Sequence, residues 1–142
     1  MKWGDIVTVV PLLLFLVGAA GVFVAIKHLR LNRANAKREE ASRYHQLHEG
    51  TLKFLNVSTV DRARLDDDEW QKEANAFKAV IREAKFLDGQ LADYLQEILG
   101  RAAHCEAYRT HDCDKAYKDE QWLVTQLGEI EERFKAFLDA RH

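Results

Sequence analysis

Residues that interrupt regular secondary structure are scarce in this sequence, whose 142 residues include one proline, Pro11, and seven glycines. Proline breaks helix interiors, and both residue types concentrate in turns. A chain with so few of them is unsuited to a turn-rich β fold and favours long α-helices. We therefore predict an all-α protein.

Cysteine is also scarce, because the chain contains only Cys105 and Cys113. Two cysteines are too few for a disulfide scaffold, and their spacing matches no zinc finger, which favours a reducing compartment. The sequence also lacks a glycine-rich phosphate loop, a G-x-S-x-G motif and an H-E-x-x-H motif. The acidic run Asp66, Asp67 and Asp68 is better suited to capping a helix than to paired-acid catalysis. We expect no enzymatic activity, no cofactor and no small-molecule substrate.

Charged residues are absent from one long stretch, residues 6–26, which reads IVTVVPLLLFLVGAAGVFVAI. At about 1.5 Å rise per residue, a helix of this length covers the roughly 30 Å hydrocarbon core of a bilayer. The stretch is longer than the apolar part of a signal peptide, and basic residues follow it without a cleavage-site region. It predicts a transmembrane helix, with residues 1–5 as a short external N-terminus. Trp3 falls where an interfacial aromatic residue is expected.

Basic residues are concentrated directly after this stretch, at Lys27, Arg30, Arg33, Lys37 and Arg38. Lys and Arg beside a span remain on the cytoplasmic side, which predicts a single-pass protein of the bacterial inner membrane with a cytoplasmic C-terminal region. Anionic lipid attracts such residues by roughly 1 kcal/mol each. Nucleic acid is a weaker candidate, because the segment is short and lies against the bilayer. We expect the lipid bilayer, and no nucleic acid, as a partner of these membrane-interface residues.

Small residues share one face of the predicted span, where Gly18, Gly21 and Ala25 follow at i, i+3 and i+7. Such spacing lets two transmembrane helices approach closely, and it predicts self-association of the span. The alternative is compositional, because Gly and Ala are common in spans.

The remaining chain favours helices with one apolar stripe each. A helix-forming basic juxtamembrane segment covers residues 27–56, and the periodicity then lapses over residues 57–68, where we predict a loop. Each later stripe has to be buried against the others, which predicts an antiparallel three- to four-helix bundle over residues 69–142. In the four-helix alternative, Phe54 and Leu55 belong to a fourth helix that packs against the other three. The three stripes are Trp70, Ala74, Phe77, Ile81 and Ala84; Leu91, Tyr94, Leu95, Ile98, Ala102, Cys105 and Tyr108; and Trp122, Leu123, Leu127, Ile130, Phe134, Phe137 and Leu138.

One cluster carries metal-ligating side chains, namely His104, Cys105, His111 and Cys113. Thiolate and imidazole are ligands that zinc prefers. The spacing is poor, because adjacent helical residues point about 100° apart. These four residues are weak metal candidates, and we expect no metal site. The alternative places Cys105 in the core and leaves His111, Asp112, Cys113 and Asp114 in a solvated turn.

The stretch IREAKFLDGQLADYLQEI, residues 81–98, resembles one that recurs in small uncharacterised bacterial proteins, often with a membrane span before a helical tail. The resemblance covers roughly residues 70–138 and implies a helical bundle in a bacterial setting. It implies no activity and no site residue. It rests on residues expected to face the bundle interior: Ala84, Phe86, Leu87, Leu91, Tyr94, Leu95 and Ile98.

An anchor and a bundle without a catalytic motif favour a non-enzymatic, membrane-anchored interaction or scaffold protein that binds another protein or a second copy of itself. One alternative is a membrane-acting oligomeric effector of a phage-defence or toxin system, assembled through the small residues of the span. A second alternative is a spanin-like phage lysis protein, which also joins one span to a charged helical tail. It requires the opposite orientation, which the basic residues disfavour.

Overall fold

The computed structural model describes the backbone of residues 3–141 and the side chains of residues 15 and 17–141. Within this range the chain is helical and contains no strand, so the prediction of an all-α fold with a helical bundle is confirmed. A short 3₁₀-helix, Arg62–Arg64, lies between the first two α-helices. The α-helices are α1 (Trp3–Ser58), α2 (Asp67–Leu87), α3 (Gly89–Tyr108) and α4 (Cys113–Asp139).

The predicted transmembrane helix falls within α1. Its residues 6–14 and 16, and the predicted interfacial residue Trp3, lie outside the side chains that the structure describes. Across the part that is described, no helix carries an apolar stretch long enough to cross a bilayer. The described residues therefore do not support the predicted span.

Contacts divide the chain into two compact units, Met1–Ala41 and Ser42–His142. The second unit is the bundle, and it includes the end of α1 as well as the three later helices. It therefore begins well before residue 69, the predicted start. Phe54 and Leu55 are both fully packed in its core, so the four-helix alternative is the one observed.

An aspartate begins each helix after α1. Asp66 accepts a hydrogen bond from the Glu69 backbone N–H at 2.7 Å, and the Glu69 side chain accepts one from the Asp66 N–H at 3.2 Å, which together form a capping box. Asp88 and Asp112 accept from backbone N–H groups of α3 and α4 in the same way. Because these caps satisfy N–H groups that a helix leaves free, the helix starts are encoded locally.

The connection between α1 and α2 is shorter than the loop predicted over residues 57–68. Helix α1 continues through Ser58, and α2 begins at Asp67 directly after its cap. Residues 59–66 make the connection, and the 3₁₀-helix occupies its middle.

The end of α1 packs antiparallel to α2. The Phe54 ring stacks on the Phe77 ring, with centroids 4.3 Å apart and planes 9° from parallel. Toward the start of this part of α1, the Tyr44 hydroxyl donates to Asp88 Oδ2 at 3.2 Å, beyond the end of α2. Closer to the C-terminal end of α1, Lys53 pairs with Glu73 at 2.8 Å. Large aromatic side chains contribute most of the buried apolar area at this contact.

Helix α4 packs against both α3 and α1. The Tyr94 hydroxyl donates to Gln126 Oε1 at 3.0 Å inside the bundle, and burial raises the pKa of Tyr94 to about 12. On the other side, the His48 ring meets the Phe134 ring edge-on with centroids 5.3 Å apart. The last helix therefore closes the bundle against the first.

The expectation that Phe86 faces the bundle interior is wrong, because its side chain is 87 % exposed. Ala84 and Leu87, which lie on either side of it in the sequence, are both buried. At 100° per residue, Phe86 points about 200° away from Ala84. Phe86 therefore lies on the face of α2 opposite Ala84, although buried residues come shortly before and after it in the sequence.

Gly50 lies where α1 and α2 approach most tightly. A Cβ atom at this position would stand 2.9 Å from Val80 Cγ2, closer than carbon atoms pack. Gly100 and Gly128 are also helical, but no atom lies within 4 Å of a Cβ built on either. The three glycines therefore provide a matched comparison.

We expect Gly50→Ala to lower the free energy of unfolding by about 1 kcal/mol or more, because overpacking outweighs the gain of about 1 kcal/mol in helix propensity. Gly100→Ala and Gly128→Ala should instead raise it by up to about 1 kcal/mol. Urea unfolding followed by circular dichroism measures all three. Adding Val80→Ala should restore part of the loss in Gly50→Ala, and a Gly50→Ala protein as stable as Gly100→Ala would contradict the close approach.

Candidate functional site

The unit Met1–Ala41 exposes a run of large apolar side chains on α1. Consecutive residues of the run are exposed, and at about 100° per residue its large side chains cover an arc of about 220°, while the remaining arc is the face of Gly18, Gly21 and Ala25. Nothing in the described chain covers them. A helix that is apolar all round is typical of an apolar environment rather than water. We call residues 15–26 the apolar segment; its large exposed side chains are Phe15, Val17, Val22, Phe23, Val24 and Ile26.

Gly18, Gly21 and Ala25, the predicted self-association face, belong to the same segment. All three are exposed, and no atom lies within 4 Å of a Cβ built on either glycine. The face is therefore open to a neighbour, and nothing in the described chain occupies it.

The predicted membrane-interface residues Lys27, Arg30, Arg33, Lys37 and Arg38 are all exposed on α1. At 100° per residue they fall within an arc of about 140°. Their side chains begin where the apolar segment ends, and Leu29 and Leu31 lie among them. We call residues 27–38 the basic segment. A helix that is apolar along one part and basic along the next suits the boundary between a lipid core and anionic headgroups.

The four metal candidates do not converge. Cys105 is buried in the bundle core, whereas Cys113 is exposed at the start of α4. His104 contacts Asp119, and His111 contacts the threonine that precedes it. Across the described residues, no group of three or more His, Cys, Asp or Glu side chains is placed to hold a metal ion.

Asp119 is a buried acid that sequence reasoning missed. Its carboxylate accepts a hydrogen bond from Arg101 at 3.3 Å and also contacts His104. Arg101 in turn lies over the Trp122 ring, 4.5 Å from its centroid. Buried charges require partners, and this network supplies them while joining α3 to α4. Its spacing in the sequence could have indicated this burial, because Asp119 lies three residues after Ala116 and four before Leu123, and both of these residues are buried.

Arg62 is the most completely bonded side chain of the bundle and is only 6 % exposed. Its Nε and Nη2 donate to the two carboxylate oxygens of Glu106 at 2.7 and 2.6 Å. Nη1 donates to the Leu65 carbonyl at 2.7 Å, and Nη2 also donates to Asp67 at 2.8 Å. These hydrogen bonds, with that to Glu106 foremost, raise the pKa of Arg62. The connection after α1 is thereby joined to the end of α3.

A cavity of about 350 Å³ opens beside this arginine, between the start of α2 and the end of α3. Trp70, 7 % exposed, lines it, and the Trp70 Nε1–H is buried without a hydrogen-bond partner. Arg109 pairs with Glu106 through Nη2 at 2.9 Å, and its Nε–H is likewise buried without a partner. We call this the Arg62 cavity; its lining includes Arg62, Asp67, Trp70, Gln71, Glu106 and Arg109.

Sequence reasoning could not single out Arg62. The acid-rich connection contains Arg62 and Arg64, two residues apart and chemically identical, yet only Arg62 is buried. The choice depends on Glu106, which lies 44 residues away and next to a core cysteine. No local pattern links these positions.

No protein-family model matches the sequence, and neither a curated protein nor a solved structure matches it.

We expect Arg62→Ala to lower the free energy of unfolding by about 3–5 kcal/mol, because it leaves Glu106 buried without its main partner. Arg64→Ala, which removes an exposed arginine from the same 3₁₀-helix, should change it by no more than about 0.5 kcal/mol. Urea unfolding of the full chain compares the two variants. Equal losses would show that Arg62 does not hold the connection to α3.

The two cysteines should differ in their reactivity. Cys113 is exposed, whereas burial raises the pKa of the Cys105 thiol and excludes reagents from it. At pH 8, a thiol reagent should label one cysteine of the folded chain rapidly and the second only after denaturant is added. Cys113→Ser should abolish the rapid phase, and rapid labelling in that variant would contradict the burial of Cys105.

Proposed function

We propose that this protein is a non-enzymatic, membrane-anchored interaction or scaffold protein of the bacterial inner membrane. In this proposal residues 6–26 form a transmembrane anchor with the N-terminus outside, and the bundle Ser42–His142 binds another protein or a second copy from the cytoplasmic side. The observation that carries the proposal is the exposed apolar segment on α1, followed directly by the exposed basic segment.

The chemistry of α1 favours lipid as the environment of this segment. Large apolar side chains around most of one helix gain free energy from leaving water, at about 25 cal/mol per Å² of apolar area. An adjoining row of Lys and Arg gains roughly 1 kcal/mol per residue beside anionic lipid. A protein partner with an apolar groove would cover one face only, so a bilayer accounts for more of the exposed area.

The polar groups of the bundle interior favour binding over catalysis. Asp119 pairs with Arg101, and Tyr94 donates to Gln126. Thr51 donates to the backbone of its own helix at 2.7 Å. The first two interactions hold α3 against α4 and the third stays within α1, and we assign none of them a reaction.

The bundle surface supplies side chains suited to a partner. Phe86 is 87 % exposed and Tyr117 60 %, although both are large aromatic residues. Aromatic residues are enriched at protein–protein interfaces, where they provide large contact area at low entropic cost.

A topology experiment on the full chain tests the anchor and its orientation. A fluorescent protein and alkaline phosphatase, each fused after residue 142, report cytoplasmic and periplasmic locations respectively. We expect fluorescence, no phosphatase activity, and recovery of the fusion in membranes after an alkaline carbonate wash.

Replacing the five lysines and arginines of the basic segment with Asn should weaken this orientation and raise phosphatase activity. As the matched control, five lysines of the bundle are replaced with Asn, which should leave the orientation and the phosphatase activity unchanged. These are Lys72, Lys78, Lys85, Lys115 and Lys118. Recovery of the unmodified fusion in the soluble fraction would overturn the anchor. An active phosphatase fusion would overturn the cytoplasmic placement and favour the spanin-like alternative.

A further inference from the structure

Two hollows follow one another along α1, and both have Ile26 in their lining. The first, of about 730 Å³, lies in the apolar segment, where the small residues Gly18 and Ala19 stand between larger apolar side chains. The second, of about 240 Å³, is lined by Arg30 and Arg33 beside apolar residues. We call the two together the α1 groove. At 100° per residue, seven of its residues share an arc of about 100°, namely Phe15, Ala19, Val22, Ile26, Leu29, Arg30 and Arg33.

The apolar part of the α1 groove matches the depth of one bilayer leaflet. Residues 15–26 rise about 16 Å along the helix axis, and half of the roughly 30 Å hydrocarbon core is about 15 Å. Because helical side chains lean toward the N-terminus, Arg30 and Arg33 reach back toward Ile26. In the proposed orientation, the groove therefore runs from the middle of the bilayer to the headgroups of the cytoplasmic leaflet.

The two arginines of the groove are suited to a phosphate group. Arg30 and Arg33 are both exposed, and residues at i and i+3 are neighbours on a helix surface. No aspartate or glutamate occurs between residues 15 and 38, so no carboxylate of this stretch competes for them. A guanidinium donates two parallel hydrogen bonds to phosphate oxygens. The uncompensated positive charge also favours a lipid with net negative charge over a zwitterionic lipid.

We propose that the α1 groove binds one anionic phospholipid of the cytoplasmic leaflet, with an acyl chain along the apolar hollow and the phosphate on Arg30 and Arg33. This site rests on the proposed membrane anchor and adds a defined lipid to it. A bilayer that only surrounds α1 would also engage Lys27 and Arg38, which lie on average about 100° away around the helix. The groove singles out the two arginines that continue its apolar lining.

The test is a lipid titration of the full chain in micelles of an uncharged detergent, read by native mass spectrometry, which counts the lipids bound to each chain. The probes are dioleoylphosphatidylglycerol, which is anionic, and dioleoylphosphatidylcholine, which is zwitterionic. A single phosphatidylglycerol should bind about tenfold more tightly than phosphatidylcholine, because two cations act on its charge. Glycerophosphoglycerol, the same headgroup without acyl chains, should not bind at these concentrations.

Matched charge variants test the basic end of the groove. Arg30→Gln combined with Arg33→Gln should weaken phosphatidylglycerol binding about tenfold, to the level of phosphatidylcholine. Lys27→Gln combined with Arg38→Gln removes the same charge from an adjacent face and should weaken it less than about threefold. All four side chains are exposed on α1, so neither double variant removes a bundle contact.

A second matched pair tests the apolar end. Ala19→Leu fills part of the first hollow and should weaken phosphatidylglycerol binding several-fold, because it takes the space of the acyl chain. Ala20 is also exposed, but it points about 100° away from Ala19, so Ala20→Leu should leave the affinity unchanged.

Failure of the lipid site can be told apart from failure of the anchor. Equal affinities for the two lipids, or equal losses in the two charge variants, would overturn the site. If the fusion nevertheless stays in membranes after the carbonate wash, the anchor is retained and its lipids form an unspecific ring around α1. Recovery of the full chain in the soluble fraction would overturn both the anchor and the site.

Discussion

The ion pair between Arg62 and Glu106 is the interaction on which the arrangement of the bundle depends. The connection after α1 contains few apolar side chains, so packing alone does not fix the path of its backbone. A buried guanidinium removes that freedom, because an unpaired charge inside the bundle would cost several kcal/mol. The observed path brings Arg62 to both oxygens of Glu106, and it holds the start of α2 near the end of α3.

Polar groups recur wherever two helices must be aligned along their length. Apolar stripes bury area but tolerate sliding, whereas a hydrogen bond between defined atoms does not. Tyr94 with Gln126 and Arg101 with Asp119 fix α3 against α4, and Tyr44 with Asp88 fixes α1 against the α2–α3 junction. In addition to these hydrogen bonds, the stacked rings of Phe54 and Phe77 bury apolar area between α1 and α2.

The fold could be predicted where the information is local, and so could the sequence positions of the apolar and basic segments of α1, whereas the Arg62 cavity could not. Apolar periodicity predicted the stripe from Trp70 to Ala84, and acidic residues predicted the cap that Asp66 forms. The resemblance misassigned Phe86, because Ala84 and Leu87 close to it in the sequence are core residues that lie on another face of the helix. The Arg62 cavity depends on pairings between distant residues, such as Arg62 with Glu106, and a single sequence carries no record of which distant charges meet.

The contact of His48 with Phe134 joins residues that are separated by most of the bundle sequence. Contacts between α2 and α3, by comparison, form across a junction of one residue, Asp88. Loop-closure entropy makes such local pairings fast and distant ones slow. As the chain leaves the ribosome, α2 and α3 can pair while α4 is still being made, and the face of α1 around His48 stays uncovered until the last helix arrives. We therefore expect chaperone binding and premature association during synthesis to concentrate at that face.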